Sequence, residues 1–370
     1  MTISIIGSSI TQFGELWDKS LIDLAKQAVD ESLTDAKLEH ADIEAVFVAN
    51  MSSHVFDGQA QLGALVSQFF PHYPSAFHSE ASCASGSMAL LSAQYALLSG
   101  RYTTVMVVGV EKMTDAPSSD VTQMLSGAAK KSEEEGSTFP ALYALLAQIH
   151  MSEFGTSREM LSAVAVQNHE HAFQNPHAQY HKHLTQEIVS NSTLVAPPLR
   201  LLDCSPITDG ASALILTTKP VKNAVQILGR GHGQDSLDLA SREKLTTLQA
   251  TVRASREAFS EAKLDHKKIQ VIEVHDCFTI AQLLALEDLG FYEKGKAGIA
   301  TLSGKTTFGG EIVVNPSGGL KASGHPVGAT GVKQVAYLTK LIQQDQFPLA
   351  LAHNVGGSGA TAIVHIIGKV

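Results

Sequence analysis

Apolar positions along the chain keep two rhythms. Helical spacing runs from Leu21 to Leu33 and from Ser87 to Leu98, while short unbroken apolar runs fill Ala45 to Val48 and Val105 to Val110. A short apolar run without polar alternation, lying between helical segments, reads as a strand buried on both faces. The opening residues, with Ile3, Ile5 and Ile6, read as a first strand, and Ala211 to Leu216 and Val271 to Val274 as later ones. Helices alternating with such strands predict α/β layers.

The pattern also repeats. Ala36 to Ala49 aligns without a gap over Ala262 to His275 at an offset of 226, pairing Leu38 with Leu264, His40 with His266 and Ile43 with Ile269. Cys83 to Gly86 aligns over Gly328 to Gly331 at an offset of 245, each opening a long helix. A repeat at half the chain length points to a duplicated domain rather than a solenoid. Residues from about Thr114 to Pro206 have no counterpart, although Ala141 to Phe154 and Met160 to Ala172 are helical in pattern. The expected organisation is an N-terminal half over 1–220, containing an inserted loop domain at about 114–206, and a C-terminal half over 225–370.

A chain of 370 residues, 44% hydrophobic and 17% charged, supports a large core and two domains. The net charge of −9 argues against a nucleic-acid binder. The apolar runs are too short to span a bilayer. The first residues lack the basic region and long apolar core of a signal peptide, so a cytoplasmic location is expected. The three cysteines, Cys83, Cys204 and Cys277, cannot all pair, and in a reducing compartment they are catalytic or packed.

Candidate chemistry centres on Asn315 to Gly331, which sets His325 among five glycines and two prolines. Glycine at this density shapes a loop around something that must approach the backbone. Cys83 lies at an expected helix start, where unpaired amides and the helix dipole favour a thiolate, the reactive form of cysteine. The alternative for it is a small buried hydrophobe. His325 has the titration range of a general base. If the two repeated helix starts are related by a pseudo-twofold, His325 faces the centre near Cys83. His275 and Cys277 follow the Val271 to Val274 strand, at the edge where α/β sheets carry ligands. They are otherwise a structural histidine and a core cysteine. His169, His171, His177, His181 and His183 fit no closed zinc spacing, so no metal is expected. Cys204 reads as structural, in a turn leading to the strand at Ala211.

Gly324-His325-Pro326 within its glycine-rich run closely resembles the C-terminal signature of the thiolase family, and Ser82 to Ser87 resembles that family's nucleophile turn. His275-Asp276-Cys277-Phe278 resembles the motif of one subgroup, the sterol-carrier-protein-type thiolases. The resemblance implies a fold of duplicated α/β domains in a five-layer αβαβα arrangement with an inserted loop domain. It implies Cys83 as nucleophile, His325 as its base, Cys277 as second acid/base and His275 in an oxyanion hole. His353 to Gly357 stands where most members carry a second catalytic cysteine, a loss that Cys277 would compensate. The amides of Cys83, Val355 and Gly357 would form a second oxyanion hole. Coenzyme A thioesters would be substrates, with no permanently bound cofactor, and a homodimer or homotetramer is expected. Alternatives are a condensing subunit acting with a small OB-fold partner, a ketoacyl synthase, and a non-catalytic acyl-CoA-binding scaffold.

Overall fold

A computed structural model describes residues 2–369. The first half contributes β1 (Ile3–Ile10), β2 (Ala45–Ala49), β3 (Ser75–Ser79) and β4 (Thr104–Glu111). An insertion follows, carrying the small hairpin β5 (Leu194–Ala196) and β6 (Leu199–Arg200), and the chain returns as β7 (Gly210–Thr217). The second half supplies β8 (Val225–Gln234), β9 (Val271–Glu273), β10 (Val313–Val314), β11 (Leu349–Gly356) and β12 (Thr361–Gly368).

The spatial order is β3-β2-β4-β7-β1 in the first half and β10-β9-β11-β12-β8 in the second, the same arrangement twice. In both, the two strands after the edge pair in parallel and the last two antiparallel. Antiparallel pairing of β1 with β8, Ile3 opposite Ile227, joins the halves into one sheet of ten strands. The aligned segments follow the repeat closely. Helices end at Ala36 and Ala262, each passes a single 3-10 turn, at His40–Asp42 and His266–Lys268, and each enters a strand, β2 and β9.

Strand alternation explains the unbroken apolar runs. Ala45, Phe47 and Ala49 of β2, with Val105 and Val107 of β4, face a core shared with the helices Ser85–Leu98 and Val327–Gln343. Val46, Val48, Met106 and Val108 face the helix Leu21–Ala36 on the other side. The Val327–Gln343 helix touches strands of both halves, and the helix Gln249–Ala262 covers β8 and β12 from outside. Five layers result, with the two aligned helices in the middle.

Those helices meet at their repeated glycines. A Cβ on Gly86 would lie 2.8 Å from the amide nitrogen of Gly331, and one on Gly331 would lie 2.4 Å from that of Ser87. Only hydrogen fits between two backbones this close. The contact draws the start of each helix, and the loops before them, to the pseudo-twofold centre.

Candidate active site

Cys83 sits just before the Ser85–Leu98 helix, in a turn where Ser82 takes a left-handed φ of +52°. The Ser85 hydroxyl closes the turn, donating to the Ser82 carbonyl at 2.6 Å and accepting from the Ala81 amide at 2.9 Å. His325 follows Gly324, whose φ of +105° turns the chain between the short helix Gly319–Ser323 and the Val327–Gln343 helix. Its amide donates to Thr208 Oγ1 at 2.9 Å. His275 lies in the irregular segment between β9 and the helix Thr279–Asp288.

These three residues converge. The Cys83 sulfur and one ring nitrogen from each of His275 and His325 lie within 4.8 Å of one another. The imidazoles meet edge to face, with centroids 5.0 Å apart. Each presents an Nε2 that is buried and has no partner.

Their neighbours fix complementary tautomers. Asn354 Nδ2 lies 3.0 Å from the Cys83 carbonyl oxygen and 3.1 Å from His275 Nδ1. A carbonyl only accepts, so the amide nitrogen must face it, and that nitrogen then donates to His275 Nδ1 as well. The ring proton of His275 is thereby left on Nε2, pointing into the site. Around His325 the polarity reverses. Thr330 Oγ1 donates to the Pro326 carbonyl at 3.1 Å, so its one proton is committed, and His325 Nδ1, 2.7 Å away, donates to it. His325 Nε2 is therefore an open acceptor beside the thiol. Such atoms also bind zinc, but a protonated Nε2 on His275 is no ligand, and the set has the form of a base and an oxyanion donor around a nucleophile.

Two family models cover the chain: "Thiolase, N-terminal domain" over residues 3–220 and "Thiolase C-terminal domain-like" over residues 231–369. The chain belongs to the thiolase family. It is 44% identical over 382 residues to an acetyl-CoA acetyltransferase of Methanothermobacter thermautotrophicus, covering 99% of both. To sterol carrier protein 2 of Bos taurus it is 28% identical, covering 98% of this chain and 71% of the relative. The solved Ltp2-ChsH2(DUF35) aldolase shares its fold with a TM-score of 0.85 at 21% identity, covering 100% of this chain and 98% of that one.

The electrostatics of this thiolase differ from the expectation of a helix-stabilised thiolate. The helix begins two residues after Cys83, and burial, then the Glu111 carboxylate, push the thiol up to about 12. The amides of Gly357 and of Cys83 itself pull the other way. Burial lowers His325 to about 3 and His275 well below its usual range, the latter helped by His325 and His353. Burial thus favours the neutral form of both imidazoles and of the thiol.

Cys277 is buried next to the cluster, where burial and then Cys83 raise its thiol well above the ordinary range. Val355 lies inside β11, opposite Ala362 of β12, two residues before the Gly357 amide that reaches the sulfur. His353 points elsewhere: its Nε2 pairs with Thr251 Oγ1 at 2.9 Å on the outer helix, and its strand neighbour Asn354 faces the site. Successive strand residues face opposite sides, and the sequence alone does not say which side is which.

Glu111, Thr330, Thr208, Asn354 and Tyr143 were not singled out in the sequence. Buried Glu111 accepts from the amides of Met51, Ser52 and Gly328 at 3.1, 3.0 and 2.9 Å, tying the His325 helix to the loop after β2. Burial raises its carboxyl to about 7. Asp276 accepts from the Leu320 and Lys321 amides at 2.7 and 3.2 Å and from Asn168 at 2.7 Å, bracing the glycine loop. The histidines of the insertion serve separate partners. His169 meets the Lys182 carbonyl, His171 those of Val314 and Asn315, His181 that of Asn175, and His183 the Glu170 carboxylate. A largely apolar cavity of about 140 Å³ leads to His325, lined by Met113, Leu125, Phe139, Ile207 and Phe278. Cys204, read as structural, lines it too.

Proposed function

We propose that this thiolase transfers acyl groups between coenzyme A thioesters by a ping-pong route, cleaving a 3-ketoacyl-CoA or running the reverse Claisen condensation. The observation that carries this reading is the convergence of Cys83, His275 and His325 within 4.8 Å, with one Nε2 free to accept a proton and the other carrying one. Cys83 attacks the 3-keto carbon as its proton passes to His325 Nε2. The Cα–Cβ bond then breaks and its electron pair forms an enolate, whose oxygen is held by the Nε2–H groups of His275 and protonated His325. The Cys277 thiol protonates the enolate carbon, releasing acetyl-CoA or propanoyl-CoA and leaving the shortened acyl group on Cys83. An incoming CoA thiol gives its proton to the Cys277 thiolate and takes the acyl group from Cys83, whose tetrahedral oxygen faces the amides of Cys83 and Gly357. His325 returns the proton to Cys83.

The acyl chain would occupy the apolar cavity. CoA thioesters are substrates here and no cofactor stays bound. The free state of Cys83, Cys204 and Cys277 fits a reducing, cytoplasmic setting. No helix among the described residues is long and apolar enough to cross a membrane. A homodimer or homotetramer fits the exposed edge strand β3 with its half-exposed Phe77, and sedimentation as a monomer at micromolar concentration would refute it.

A second reading, a condensing subunit working with a partner protein, is favoured by the fold likeness to the Ltp2-ChsH2(DUF35) aldolase. Mass spectrometry of the intact protein after incubation with acetyl-CoA and longer acyl-CoAs tests the first. One acyl adduct mapping to Cys83 supports it, and an absence of adducts with every thioester removes it.

A further inference from the structure

Tyr143 belongs to the insertion, on the helix Phe139–Phe154, yet its side chain is 1% exposed and reaches the centre of the molecule. Its ring packs on Phe278, centroids 4.7 Å apart, immediately after Cys277. Its hydroxyl donates to the Gly357 carbonyl at 3.2 Å, so it stands beside Cys277 but is bonded to the loop and not to that sulfur. One hydroxyl thus stands between the second acid/base cysteine and the loop whose amide faces Cys83.

We propose that Tyr143 is a positioning residue for Cys277, its hydroxyl swinging from the Gly357 carbonyl to the Cys277 sulfur whenever that sulfur is a thiolate. The idea rests on the acyl-transfer reading, in which Cys277 loses its proton to the enolate and must wait as a thiolate for the next CoA. In a site this buried, an anion without a donor is costly. The ionisable groups facing Cys277 are Cys83, Asp276 and Tyr143, and Arg242 joins them around Tyr143. Cys83 and Asp276 both oppose a second negative charge, whereas the Tyr143 hydroxyl and the Phe278 amide favour the Cys277 thiolate, and of these two donors Tyr143 is the side chain that a substitution can remove. Tyr143 keeps its own proton throughout, since burial holds its hydroxyl well above the usual range. Arg242 steadies the same loop by donating to the Ser358 carbonyl at 2.7 Å.

The test uses Y143F, which keeps the ring and removes the donor. In a chain carrying Cys83→Ala and Cys204→Ala, Cys277 is the sole thiol, and its alkylation by iodoacetamide can be followed by intact mass across pH without any turnover. Loss of a hydrogen bond to a charged group should slow alkylation about tenfold at each pH below the midpoint, as the midpoint rises by roughly one unit. An unchanged or faster rate overturns the proposal and leaves the acyl-transfer reading intact. Thiolysis gives a second, independent reading through a double-mutant cycle. Y143F should slow the otherwise unmodified enzyme about tenfold and leave the slow Cys277→Ala enzyme unaffected. Equal slowing in both backgrounds would mean that the hydroxyl acts through Gly357 or through packing, and the proposal fails. If Cys277 resists the reagent in both forms, the cycle alone decides.

Discussion

Asn354 holds His275 in a single tautomer, its amide nitrogen 3.1 Å from Nδ1 and pinned in that orientation by the Cys83 carbonyl at 3.0 Å. The proton-bearing face of one imidazole is thereby coupled to the backbone of Cys83. Asn354→Ala should slow thiolysis by about ten- to a hundredfold, less than the loss of a direct oxyanion donor. Asn354→Asp should do worse, because a carboxylate cannot donate to either partner. Wild-type rates for both variants would mean that His275 needs no such anchor.

Cys83→Ser should abolish the acyl-enzyme. A hydroxyl is a far weaker nucleophile than a thiol that ionises as it attacks. Peptide mapping checks the outcome, and stable acylation on Cys204 or Cys277 would mean that Cys83 is not the nucleophile. His325→Ala should slow the acylation step itself.

Cys277→Ala should separate the half-reactions. Acetylation of Cys83 by acetyl-CoA relies on His325, whereas cleavage also needs a group exchanging a proton with the α-carbon. The variant should still gain an acetyl group in an intact-mass assay. Its thiolysis of acetoacetyl-CoA should fall by about two to four powers of ten. Thiolysis near the wild-type rate would leave Cys277 as a packing residue.

Gly331→Ala should destabilise the whole protein rather than the site alone. The new methyl group would meet the Ser87 amide at 2.4 Å, backbone that cannot step aside. Overpacking of this kind costs about 1–3 kcal/mol or more. A fall in the urea midpoint at unchanged slope checks it.

His365 carries a pH prediction. It is fully buried in β12, with neither ring nitrogen partnered, and burial, then Arg230, lowers it to about 3. A histidine depressed in the folded state contributes stability above its unfolded value, which is lost as pH falls from about 6.5 toward the folded value. At about pH 5 that loss is on the order of 2 kcal/mol. His365→Leu should therefore shrink the stability difference between neutral and mildly acidic solution by about that much. Glu111, raised to about 7, works in the opposite sense, losing stability as pH rises through that value. It is present in both proteins and cancels from the comparison, which denaturant titration at the two pH values provides.

Much of the architecture was legible from local pattern. Apolar runs marked the strands because each is packed on both faces, and the repeat between Ala36–Ala49 and Ala262–His275 was visible because both copies keep the same helix, turn and strand. Cys83 and His325 stood out by their glycine-rich settings, whereas His275 and Cys277 stood out chiefly through the resemblance of their motif to that of the sterol-carrier-protein-type thiolases. What the sequence could not supply was direction and distance. Whether His353 or Asn354 faces the cysteine depends on the register of β11. Whether Tyr143, far from Cys277 in the chain, reaches the same centre depends on how the insertion folds back. The surroundings of Cys83 were hidden for the same reason: a helix start favours a thiolate, burial and Glu111 oppose one, and burial exists only once the layers have closed.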